Sequence, residues 1–196
     1  KYEDYVKAAA DAGVDLIISG AGLPMTLPEF SGSAKIAPIV SSRKSLSVIS
    51  KYWKKKYDRK PDLVVIEGPE AGGHLGFSNE EIDAYTVTKE KNYDDEVKAV
   101  IELANELEVP VVVAGGVYGR ADMEHYLAMG AKGVQVATRF VTTRECDASD
   151  AYKQAYIDAK KEDIVIVKSP VGMPGRAIHN AFLDKVRAGE RFMRGC

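Results

Sequence analysis

The chain has 196 residues, 45% hydrophobic and 29% charged, with 17 Gly and 8 Pro. Those are ordinary globular proportions, and they argue against disorder, collagen and coiled coil. Lys and Arg number 27 and Asp and Glu 29, so the net charge of −2 offers no general pull toward nucleic acid or an anionic membrane.

No apolar run reaches the roughly 18 residues of a spanning helix. Two cysteines, Cys146 and Cys196, are too few for a disulfide scaffold or a zinc site. Lys1-Tyr2-Glu3-Asp4-Tyr5 does not resemble a secretory leader. The expectation is a soluble cytoplasmic protein.

Tyr5, Val6, Ala9 and Ala12 recur at helical spacing and predict a helix over 2–12, stopped by Gly13. Asp15-Leu16-Ile17-Ile18-Ser19 and Lys35-Ile36-Ala37-Pro38-Ile39-Val40 are apolar runs of strand length. Between residues 44 and 57, Leu46, Ile49, Tyr52 and Trp53 again mark a helix. A third strand follows at Asp62-Leu63-Val64-Val65-Ile66. Val97, Val100, Ile101, Ala104 and Leu107 then predict a helix over 95–107. Pro110-Val111-Val112-Val113-Ala114 reads as a strand and residues 121–129 as a helix carrying Met123, Tyr126, Leu127 and Met129. Gly133-Val134-Gln135-Val136-Ala137 is the fifth strand. The runs are continuous rather than alternating, as strands buried on both faces of a parallel sheet are.

Strand and helix in alternation mean βαβ units. Five strands occupy about 145 residues, whereas a closed (β/α)8 barrel takes about 250. Two readings stay open at this point: an open five-stranded sheet, or the later part of a barrel. Beyond residue 145, Asp163-Ile164-Val165-Ile166-Val167 reads as a further strand or an extended segment. Ser169-Pro170-Val171-Gly172-Met173-Pro174-Gly175-Arg176 reads as a loop, and Ile178, Phe182 and Val186 as one face of a last helix that includes His179.

Ligands in α/β folds sit beyond the carboxyl ends of the strands. Ser19-Gly20-Ala21-Gly22, Glu67-Gly68-Pro69-Glu70-Ala71-Gly72-Gly73-His74, Ala114-Gly115-Gly116-Val117 and Ala137-Thr138-Arg139-Phe140 all fall there. Gly115-Gly116 ahead of the helix opening Arg120-Ala121-Asp122 forms a candidate phosphate cradle, with Thr138 as a further donor. A plain tight turn explains the glycines equally well. His74 is a candidate base near neutral pH, although a single histidine is more often structural. His125 and His179 read as surface or packing residues. Lys51, Lys54, Lys55, Lys56, Arg59 and Lys60, interleaved with aromatics, read as the solvated face of a helix rather than a nucleic-acid patch.

Taken in order, Glu67 to His74, Ala114-Gly115-Gly116, Gln135 to Phe140 and Gly172-Met173-Pro174-Gly175-Arg176 resemble the nitronate monooxygenase family, formerly 2-nitropropane dioxygenase. That family includes the similar flavin-dependent enoyl-ACP reductases. The resemblance runs over essentially the whole chain. It implies an α/β fold, a parallel (β/α)8 TIM-type barrel of which residues 1–145 supply the last five βα units, strands four to eight. Residues 146–196 would be a C-terminal helical insertion.

It further implies an FMN cofactor held by Gly115, Gly116, Gln135, Val136, Ala137 and Thr138, with Glu67, Gly72 and Gly73 near the flavin. His74 matches the base that takes the α-proton of a nitroalkane, on the way to a carbonyl compound and nitrite with dioxygen as oxidant. The reductase branch would instead use NAD(P)H and an enoyl thioester. A third alternative is a non-catalytic unit that keeps part of a phosphate site. Partners would be small molecules, with neither nucleic acid nor membrane. Either a longer protein supplies the remaining strands, or a second copy in a homodimer completes the barrel.

Overall fold

The fold follows from where each Val- and Ile-rich run can hide both of its faces. In the computed structural model, which describes residues 1–169 and 172–189, strands β1 (Leu16–Ser19), β2 (Lys35–Val40) and β3 (Val64–Glu67) alternate with helices α1 (Tyr2–Asp11), α2 (Leu27–Phe30) and α3 (Arg43–Tyr57). A two-residue strand β4 (Gly73–His74) precedes helices α4 (Asn79–Thr86) and α5 (Tyr93–Glu106). Then come β5 (Val111–Ala114), α6 (Arg120–Ala128), β6 (Gly133–Gln135), α7 (Thr138–Val141) and α8 (Asp150–Asp158). A hairpin of β7 (Ile164–Lys168) and β8 (Pro174–Ile178) leads into α9 (Ala181–Arg187). Cys196, Gly195, Pro170 and Val171 lie outside the described residues.

The main sheet is parallel in the order β1-β2-β3-β5-β6, so each new strand is laid beside the last in one direction. A doubly wound sheet reverses its strand order and carries helices on both faces. Here one apolar cluster joins Ile36, Val40, Val64, Ile66, Val111 and Val113 to Leu46, Ile49, Trp53, Val97, Val100 and Ala104 of α3 and α5. The helices therefore cover one face, as in a barrel. The register Ile39↔Val65↔Val112 and Glu67↔Ala114↔Gln135 sends the alternate residues to the other, concave face.

Local chemistry sets the helix ends. Ser42 and Ser45 of α3 form a reciprocal cap, the Ser45 amide donating to Ser42 Oγ at 3.2 Å and the Ser42 amide to Ser45 Oγ at 3.0 Å. Ser78 and Glu81 do the same for α4. The chain turns from α1 and α6 at Gly13 and Gly130, both at positive φ, as the sequence predicts. Trp53 of the basic helix is fully buried, and its Nε1–H donates to the Pro24 carbonyl at 3.1 Å. Lys51, Lys54, Lys55 and Lys56 of that helix are left in solvent.

The segment after residue 145 differs from the sequence reading. Residues 174–178 form a strand rather than a loop, so Ile178 is in β8 and His179 lies before α9 rather than in it. The cause is non-local: β8 finds partners in β7 and, a hundred residues back, in β4, through Gly73↔Arg176 and His74↔Gly175. Residues 146–196 are thus not purely helical. The apolar face expected on α6 is only partly covered, with Met123 and Leu127 exposed and Tyr126 and Met129 packed on the core. Among the described residues no helix is long and apolar enough to cross a membrane.

Tyr93, the first residue of α5, touches both the main core and a smaller cluster of Ala71, Leu75, Phe77 and Ile82. Its hydroxyl lies 3.0 Å from the Ser41 carbonyl and 3.1 Å from the Glu67 carbonyl, one proton shared between two strand ends. Burial pushes the phenol far above its ordinary pKa, so it remains a donor. Tyr93→Phe leaves both carbonyls without that donor. It is expected to lower unfolding free energy by about 1–3 kcal/mol, read as a lower urea midpoint at unchanged slope.

Candidate functional site

Of the cavities that open beyond the carboxyl ends of the strands, two share Glu67 as a wall. The larger, about 600 Å³, is bounded by Glu67, Gly72, Gly73, Gly115, Gly116, Gln135, Ala137 and Thr138, all expected from the sequence. The smaller, about 240 Å³, holds His74 with Leu23, Ile39, Val40, Ser41 and Met173. His74 thus lines a different cavity from the glycine pair, with Glu67 on the wall of both. Val136, the remaining predicted residue, is half-buried and outside the lining of either cavity.

The glycine pair is shaped by close approach. Gly115 and Gly116 have φ of +83° and +80°. A Cβ on Gly115 would stand 2.8 Å from the Gly68 nitrogen and 2.9 Å from its oxygen. One on Gly116 would meet the Glu70 carboxylate at 2.9 Å. Glycine is thus a steric requirement at Gly115, while at Gly116 the positive φ favours it and the Glu70 side chain could move aside. Among the described residues no acceptor engages the amides of Gly115, Gly116 or Val117. The next two amides, of Tyr118 and Gly119, are already taken at 3.0 and 2.8 Å by Asp122 Oδ2, which holds the Asp122 carboxyl below its usual pKa. An anion at this helix start would meet the glycine amides rather than the helix end itself.

Glu67 ends β3 facing the concave side, level with Gln135 of β6 in the sheet register. Its carboxylate has no hydrogen-bond partner among the described residues, and partial burial raises its pKa. Gly72 and Gly73 present bare backbone: a Cβ on either would meet nothing within 4 Å. Donors for a phosphate, a Gln135 amide and a slot of a few hundred cubic ångströms suit a phosphate-bearing planar ligand such as FMN. Among the described residues no three His, Cys, Asp or Glu side chains gather as metal ligands.

Several lining residues escape the sequence reading. Arg176, from β8, donates from Nη2 to the Pro69 carbonyl at 2.8 Å and from Nε to the Ala71 carbonyl at 3.2 Å. Its motif was visible in the sequence, but its bonds to a loop over a hundred residues away were not. Tyr156, Lys160 and Lys161 reach the larger cavity from α8 and the turn after it, with no sequence signal beyond charge. Tyr118 also lines it, its carbonyl accepting from Arg139 Nη1 at 3.4 Å. His125 and His179 pair on the surface with Asp94 and Asp184 at 2.9 and 2.7 Å, outside both cavities.

Gly115→Ala is expected to cost about 1–3 kcal/mol in urea unfolding, from the strained φ and the Gly68 backbone together. Gly72→Ala, facing open space, should stay within about 0.5 kcal/mol of the unmodified protein. Glu67→Gln tests the raised carboxyl. A pKa raised in the folded state means that ionisation costs stability as pH climbs from the ordinary carboxylate value through the raised one. The variant should therefore be the more stable protein at pH 7, with the difference vanishing below about pH 4.

A family model described as nitronate monooxygenase matches residues 1–193. A probable nitronate monooxygenase of Staphylococcus saprophyticus is 34% identical over 125 residues, covering 64% of this chain and 34% of that protein. FabK from Thermotoga maritima superposes with a TM-score of 0.71 at 28% identity, over 95% of this chain and 53% of that one. A nitroalkane oxidase from Streptomyces ansochromogenes gives a TM-score of 0.73 at 23% identity, over 94% and 50%, a likeness of fold. The chain spans about half the length of these solved structures and about a third of the curated relative. On a match that takes in both cavities and the hairpin behind them, the chain belongs to the nitronate monooxygenase family.

Proposed function

We propose that this chain carries the cofactor and proton-abstraction sites of an FMN-dependent oxidoreductase that oxidises nitroalkanes or alkyl nitronates. The observation that carries the reading is the pairing of cavities: unengaged glycine amides and Thr138 in one, His74 in the other, Glu67 on both walls. Gly115, Gly116 and Thr138 would hold the FMN phosphate, and Gln135, Glu67, Gly72 and Gly73 the remainder. FMN would supply the electron-accepting chemistry.

The protein's own part is acid–base work. Exposed at the mouth of the cavity that Leu23, Ile39, Val40 and Met173 also line, His74 would take the proton from the carbon that bears the nitro group onto a ring nitrogen. With dioxygen as oxidant, the overall products would be a carbonyl compound and nitrite. Under this reading residues 1–145 supply barrel units and residues 146–196 a cap over the cofactor cavity. The substrates are small molecules, and the enzyme is cytoplasmic.

A second reading, NAD(P)H-dependent reduction of an enoyl thioester, uses the same cavities. It is favoured by Lys160 and Lys161 on the lining of the larger one, where a dinucleotide's further phosphates would find cations. The absorption spectrum after incubation with FMN and desalting is expected to show retained flavin. Oxygen uptake with a neutral nitroalkane should then fall by about 10²–10⁴-fold in His74→Ala, and less with a preformed nitronate, which has already lost its proton. NADH-dependent turnover of a crotonyl thioester, with no oxygen uptake, would select the second reading. Retained flavin with neither turnover would leave a binding site alone.

A further inference from the structure

The loop that bears His74 has little of its own to hold it. Between Pro69 and Leu75 run Glu70-Ala71-Gly72-Gly73-His74, and both glycines face open space. Glu70 is largely exposed, its one ion pair among the described residues a 3.9 Å contact with Lys89. The Ala71 amide donates to the Gly68 carbonyl at 3.1 Å, and Ala71 and Leu75 are buried in the smaller apolar cluster; the rest of the hold on the segment comes from β8.

Arg176 reaches from β8 and binds two carbonyls two residues apart, Pro69 with Nη2 and Ala71 with Nε. In the same strand Arg176 pairs with Gly73 and Gly175 with His74. The Leu75 amide then donates to the Pro174 carbonyl at 2.9 Å. The guanidinium is half-buried on the lining of the larger cavity, and among the described residues no carboxylate pairs with it. Its charge is spent on the two carbonyl dipoles, where charge-assisted bonds are strong.

We propose that Arg176 is a positioning residue for His74: by clamping the Pro69 and Ala71 carbonyls it sets the direction in which the Gly72-Gly73 backbone delivers the imidazole. The inference rests on His74 being the base of the proposed reaction. It makes the β7–β8 hairpin part of the catalytic apparatus as well as a cover. The planar fork meets the two carbonyls from two nitrogens at fixed spacing; an ammonium offers its three donors from a single nitrogen and does not reproduce that spacing.

The test uses Arg176→Lys and Arg176→Ala in the full 196-residue chain, with two readouts. In turnover, Arg176→Lys is expected to lose roughly 10- to 100-fold in kcat on a neutral nitroalkane with KM changed little. It should lose much less on the preformed nitronate, and added guanidinium ion should restore part of the activity of Arg176→Ala. Equal losses on both substrates without rescue would overturn the proposal.

Amide exchange by NMR provides the second readout, independent of activity. In either variant the Leu75 amide should exchange at least about tenfold faster, a loss of about 1.4 kcal/mol of local protection, while Val65 and Val112 in the central strands keep theirs. Unchanged exchange at Leu75 together with an unmoved His74 ring signal would overturn it as well. Absence of turnover in the unmodified chain would instead strike at the proposed reaction, and the exchange data would then decide the clamp by themselves.

Discussion

One shared proton ties the candidate site to the core. The Tyr93 hydroxyl sits between the carbonyls of Ser41 and Glu67, at the points where β2 and β3 give way to their loops. Those loops form the walls of the smaller cavity, and Glu67 is also a wall of the larger. The ring of Tyr93 meanwhile packs against both apolar clusters. A Cβ on Gly68 would come within 3.0 Å of that ring, so the loop glycine is part of the same joint. The position of the site is thereby inherited from the sheet rather than from the loops, which alone would be mobile.

From that joint outward, the arrangement alternates rigid support with bare backbone. Sheet register brings Glu67, Ala114 and Gln135 level with one another. Beyond them the chain sheds side chains at Gly72, Gly73, Gly115 and Gly116, where a ligand can meet amides directly. The antiparallel hairpin carries a guanidinium fork, that of Arg176, which reaches back to the β3 loop. The proposed acid–base and cofactor sites lie where this scaffold leaves polar groups without partners among the described residues.

Most of the parallel sheet was legible in the sequence. Uninterrupted Val and Ile runs bounded by glycines have few other uses, and all five became strands with the expected neighbours. Elements of a single turn, such as α2 over Leu27–Phe30, carry too few residues for a periodic signal. Strand β8 was missed because Pro174-Gly175-Arg176 has the composition of a loop; its strand geometry comes from partners distant in sequence. The candidate site was read in the same uneven way. Glycine-rich strand ends announced themselves, whereas the division into two cavities depends on how loops fold over one another, which no local pattern encodes.

The contact between Gly115 and Gly68 has a further meaning for how such a pocket can change over time. Two loops from neighbouring strands meet there backbone to backbone, with no side chain between them to be trimmed or enlarged. Variation in the size or polarity of the larger cavity is therefore channelled elsewhere, to Gln135, Thr138, Tyr156 and the Lys160-Lys161 turn, whose side chains have room to differ. An engineer seeking a new ligand preference has the same short list. The glycine wall is the fixed datum against which all such substitutions would be measured.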